Sequence, residues 1–135
     1  MKKLIFFLIV ALFLFGLSAC GGGGKYADAK AVTEKYIAAI NDYTAACEKI
    51  ENADDAAAAI EKYAAVMTEL APKMKEMDEK YPELKDPKNW PEELKDLTAK
   101  IAEAMQKMAP AMKKIAPFAM DPKVMEAQKK VSGMN

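Results

Sequence analysis

From Tyr26 onward, apolar and small residues recur at alternating spacings of three and four, through Tyr26, Ala29, Thr33, Tyr36, Ile40, Tyr43, Cys47 and Ile50. A helix that buries one stripe against its neighbours has this period; a strand, with a period of two, does not. The alternation resumes through Ile60, Tyr63, Met67, Leu70, Met74, Met77, Tyr81 and Leu84, and again through Leu94, Leu97, Ile101, Ala104, Met108, Ala111, Ile115 and Phe118. Alanine, lysine, glutamate and methionine, all strong helix formers, fill the positions between. The pattern predicts helices near residues 26–51, 54–81 and 92–118, with a short C-terminal helix near 122–132. Asn52 or Asp54 suits the cap of the second helix, Pro91 with Glu92 and Glu93 supplies a helix-ready first turn, and Asp121-Pro122 repeats the cap-then-proline signal.

Segments of about 27 residues are about 40 Å long at 1.5 Å per residue, so three of them match and can lie side by side. The predicted fold is therefore all-α, an antiparallel three-helix bundle with the short helix folded on its end or along a groove. Residues 81–91, which carry Pro82, Pro87 and Pro91, form the one substantial loop. Pro72 and Pro110 stand where the seam continues on both sides, so each is expected to kink its helix and not to end it.

Ahead of the seams, Lys2 and Lys3 precede an apolar run from Leu4 to Leu17, the layout of an export signal. The run is shorter than the about 20 residues that a membrane-spanning helix needs, and Gly21 to Gly24 follow it as a tether. Between run and tether stands Leu17-Ser18-Ala19-Cys20, which resembles the lipobox of bacterial lipoproteins. That resemblance implies a cleaved signal peptide over residues 1–19, a lipidated Cys20 carrying palmitate-type acyl chains, a Gly-rich tether over 20–25 and a helical domain over 26–135. It further implies a lipid-anchored protein of the bacterial cell envelope. Gly21, in place of the aspartate that retains such proteins in the inner membrane, points to the outer membrane, on its periplasmic face or at the surface, in an organism with two membranes.

Composition narrows the chemistry. Removing the first 19 residues leaves 116, enough for one domain, with 18 lysines against 20 acids and so a side-chain charge of −2. Every basic residue is lysine, and without arginine's planar fork nothing points to a nucleic-acid partner. Histidine is absent, which removes the commonest general base and the commonest transition-metal ligand. Ser132 is the single serine beyond the lipobox, no nucleophile stands beside a base, and no phosphate-cradling glycine loop follows the tether. The reading is a non-enzymatic protein with no cofactor, folding as a monomer. Cys47 is the one cysteine left once Cys20 is acylated; it falls on a seam, where a thiol behaves as a small hydrophobe.

Methionine is the most unusual enrichment, for all nine beyond Met1 lie at or after Met67. Met67, Met74 and Met77 on the second helix and Met105, Met108 and Met112 on the third are the candidate ligand-binding residues. Soft thioethers select Cu(I), and flexible methionines also line grooves that accept lipid tails or a partner helix. Against this, Met67, Met74, Met77 and Met108 lie on the seams themselves, where methionine simply fills a core. Trp90, among three prolines, is the plug of one bundle end or an exposed contact. Charge is split as well: residues 28–61 hold eight acids against three lysines, and 105–135 six lysines against two acids. An acidic first part packing beside a basic last part explains this, as does a set of lysines, Lys113, Lys114, Lys123, Lys129 and Lys130, facing anionic headgroups or envelope polymer. The expected function is an interaction or structural module of the envelope, anchored to the membrane and meeting an envelope protein or polymer. The alternative is a carrier of an apolar ligand or a soft metal.

Overall fold

All the seam positions named above are buried or half-buried in the computed structural model, which describes residues 24–133. The signal peptide, Cys20 and the tether up to Gly23 lie outside the described residues, as do Met134 and Asn135. Among the described residues four α-helices make up the bundle: α1 (Ala27–Glu48), α2 (Ala53–Lys80), α3 (Glu92–Met112) and α4 (Pro122–Ser132). Short 3-10 turns occupy Pro82–Lys85, Pro87–Asn89 and Ala116–Phe118, and no strand occurs among the described residues.

The starts of the helices follow the capping chemistry. Asn52 closes the first turn of α2 by accepting from the Asp55 backbone N–H at 2.9 Å, and the Asp55 carboxylate accepts in return from the Glu51 N–H at 3.2 Å. Asp121 does the same for α4, accepting from the Lys123 N–H at 2.9 Å ahead of Pro122.

The ends differ from expectation in two places. The third helix stops at Met112, not near 118, because its hydrogen bonds tighten to a three-residue pitch: the Lys113, Lys114, Ile115 and Ala116 N–H groups donate to the carbonyls of Pro110, Ala111, Met112 and Lys113. Pro117 is the cause, since it has no N–H to donate one α-turn back and its ring crowds the carbonyl found there. Pro110 thus sits two residues before the end of α3, whereas Pro72 lies well inside α2. The first helix stops at Glu48, where Lys49 and Ile50 also turn back by three residues; Ile50 stays buried all the same.

Packing is by pairs: α1 against α2, α1 against α3, and α2 against α4. Helices α1 and α2 therefore form the inner pair, flanked by α3 on α1 and by α4 on α2. Two apolar clusters form, one at each end of α1. The first joins Ala29 with Tyr81, Leu84, Trp90, Leu94 and Leu97; the second joins Tyr43, Cys47 and Ile50 with Ala56, Ala59, Ile60, Ala111, Ile115, Val124 and Ala127. The buried hydroxyls of Thr33 and Thr44 donate to the carbonyls of Ala29 and Ile40 at 2.7 and 2.8 Å, so neither carries an unmet hydrogen bond into the core.

Candidate functional site

The six candidate methionines divide according to the seam. Met67, Met74, Met77 and Met108, which lie on it, are half-buried. Met77 packs with Tyr26, Ile37 and Ile101 against the Trp90 cluster, while Met108 packs with Tyr63 and Phe118 against the Cys47 cluster, so those two thioethers belong to opposite ends of the molecule. Met105 and Met112, off the seam, are 45% and 44% exposed. Spaced at i, i+3 and i+7, Met105, Met108 and Met112 share one side of α3. Among the described residues the other large apolar side chains left in solvent are also methionines, Met120 at 84% and Met125 at 40%. Among the described residues no three His, Cys, Asp or Glu side chains group as a metal site would require.

Around Trp90, directional contacts hold an irregular chain. The Trp90 indole Nε1–H donates to the Leu84 carbonyl at 2.7 Å, and the Tyr81 hydroxyl donates to the Lys25 carbonyl at 2.7 Å. Tyr26 tilts against Tyr81 with ring centroids 5.1 Å apart, and its hydroxyl donates to Glu83 Oε1 at 2.8 Å, which Lys25 Nζ also reaches at 3.1 Å. The Glu83 carboxyl is pulled down to about 2 by its own backbone N–H first, then by Tyr26 and Lys25. Trp90 is thus the plug of this end. The clamp that Tyr81 forms over the start of the chain was not legible in the seam, which marks Tyr81 only as buried.

At the other end Cys47 is wholly buried, and Tyr43 stacks on Tyr63 with centroids 4.7 Å apart. Burial pushes the Cys47 thiol up, with a smaller opposing effect from its hydrogen bond with Tyr43. A thiol without water access and with a raised pKa is a packing group, not a nucleophile. Lys123 pairs with Asp54, Lys130 with Glu61 at 2.6 Å, and Lys114 Nζ donates to the Glu48 carbonyl at 3.0 Å at the end of α1. All five lysines that could have faced anionic headgroups are exposed, and three of them, Lys114, Lys123 and Lys130, reach partners at the end of α1 and on α2. The split of charge along the chain is the complementarity of α4 and the end of α3 with the acidic flank they pack on.

No helix among the described residues is long and apolar enough to cross a membrane. Compared with protein-family models, with curated proteins and with solved structures, the chain finds no match, so residues and geometry alone carry the functional reading.

Proposed function

We propose that this chain is a lipid-anchored protein of the bacterial cell envelope, acting without catalysis as an interaction or structural module. The observation that carries the reading is Leu17-Ser18-Ala19-Cys20 followed at once by Gly21 to Gly24 and a helical domain. Several acyl chains on Cys20, each methylene contributing about 0.8 kcal/mol, hold a protein on a bilayer without a crossing helix. We take the bundle to be three antiparallel helices, up-down-up, with α4 seated on α2. The pairing of Lys80 at the end of α2 with Asp28 at the start of α1 supports this, as does the contact of Lys114, just past α3, with the end of α1.

The surface supports an interaction role over a sequestering one. Met105, Met112, Met120 and Met125 stand in solvent, where adaptable thioether side chains suit docking to a protein or polymer of the envelope. The carrier reading draws on the same residues and takes a lipid-like ligand or Cu(I) between α2 and α3. Replacing Cys20 by serine tests the anchor: the variant is expected in the soluble fraction and the parent in the membrane fraction, and a variant that still sediments with membranes contradicts the reading. Native mass spectrometry of the purified domain separates the two roles, since a co-purifying ligand favours the carrier and a bare mass the interaction module.

A further inference from the structure

The place where the described chain begins bears on how the bundle meets the bilayer. Gly24 is held at the Trp90 end: its carbonyl accepts from the Ala27 N–H at 3.1 Å, and a Cβ on it would lie 3.3 Å from Glu93 Oε2 in the first turn of α3. The next residue is fixed as well, because Tyr81 donates to the Lys25 carbonyl and Lys25 Nζ reaches Glu83. Four residue steps separate Gly24 from Cys20, which even fully extended span no more than about 14 Å. The loop that borders this end presents Lys85, Asp86, Pro87, Lys88 and Asn89 to solvent. Met112, at the far end of α3, is about 30 Å away along a helix rising 1.5 Å per residue.

We infer that the bundle stands on the membrane with the loop over residues 81–91 apposed to the lipid headgroups, which holds the exposed methionines of its far end away from the bilayer. This rests on acylation of Cys20. The occupant of the loop face is a bilayer surface because the chain outside the structure leaves from that face and is too short to let it retreat. Attraction of opposite charges is not the cause. Residues 80–95 hold four lysines against four acids, and Lys25–Glu83, Lys80–Asp28 and Lys95–Glu92 are already paired. The orientation is therefore expected to survive high salt, unlike one set by a basic patch.

The test uses full-length lipidated protein extracted from membranes and reconstituted into phosphatidylcholine vesicles containing a Ni(II)-chelating headgroup lipid. Single variants Lys85→Cys, Lys88→Cys and Lys113→Cys each carry a nitroxide; Cys47 is buried and Cys20 acylated, so the introduced thiol takes the label. Relaxation of the label by headgroup Ni(II) is expected to be several-fold stronger at positions 85 and 88 than at 113, and unchanged in 0.5 M NaCl. Inserting twelve Gly/Ser residues between Gly23 and Gly24 should bring the three positions toward one value. Equal relaxation at all three positions without the insert, or the strongest at 113, overturns the orientation while leaving the anchor intact. Protein that fails to float with the vesicles overturns the anchor itself, and the orientation with it.

Discussion

The two ends of the bundle are built on different principles. At the Trp90 end, large aromatic side chains fasten a proline-rich loop by hydrogen bonds to backbone carbonyls, because a chain in short 3-10 turns has no continuous ladder to satisfy them. At the Cys47 end, apart from the Tyr43 ring stacked on Tyr63, the buried residues are small or aliphatic, Ala56, Ala59, Ala111 and Ala127 around Cys47, Val124 and three isoleucines, so helices come close and ion pairs at the rim only guide α4 into place. One end depends on filling volume and meeting specific donors; the other depends on keeping volume out.

That contrast can be broken most forcefully at Trp90. Replacing it by alanine removes the plug and the donor to Leu84 together, with an expected loss of about 3–5 kcal/mol in urea unfolding followed by circular dichroism. Trp90→Phe, which keeps a ring, should lose clearly less. At the opposite end the sign of the volume change reverses. Ala127→Leu, at a fully buried position on α4, should cost about 1–3 kcal/mol by overpacking and lower hydrogen-exchange protection over residues 122–132 before the rest of the molecule. If Ala127→Leu is neutral, that end is not close-packed and the comparison fails.

Smaller effects sharpen the picture. Tyr81→Phe keeps the ring and removes one hydrogen bond to the Lys25 carbonyl, for an expected loss of about 1 kcal/mol in the same urea experiment. The pH dependence comes from Glu83. Its folded value of about 2 lies below the ordinary 4.5, so its contribution is present above about pH 4.5 and is lost as pH falls toward 2. Because Glu83 is solvent-exposed, the effect is small. Glu83→Gln should lower the thermal unfolding midpoint slightly at pH 7, where the carboxylate contributes, and flatten its dependence on pH between about 4.5 and 2. Replacing Lys123 and Lys130 together by methionine is expected to shift the midpoint least, and not at all in 0.5 M salt, since exposed ion pairs are screened.

How much of this was legible from the chain depended on whether a local rule decides it. The seams were, because burial on a helix follows its period: Ala104 and Ala111 are buried, and Met105 and Met112, one residue past them, are exposed. The starts of α2 and α4 were as well, since Asn52 and Asp121 cap through their own side chains. The end of α3 was misplaced because the seam runs on to Phe118 through 3-10 turns, and apolar spacing alone does not register the missing N–H of Pro117. The seating of α4 on α2 was not legible either. It depends on where distant charges and small residues meet, such as Lys130 with Glu61 and Ala127 in the Cys47 cluster, and such pairings leave no local period. For the candidate methionines the spacing placed three thioethers on each of two helices, but it did not distinguish a shared site from two separate clusters, and Met77 and Met108 fall in separate ones.

Two ends so differently made suit a protein held by one of them, and the claim beneath that picture is the acylated cysteine. Mass spectrometry of the N-terminal peptide from protein isolated out of membranes tests it most directly. The account predicts a peptide that begins at Cys20 and carries a diacylglyceryl group, with residues 1–19 gone. A peptide that retains residues before Cys20, or one that begins at Cys20 with a free thiol, would contradict it.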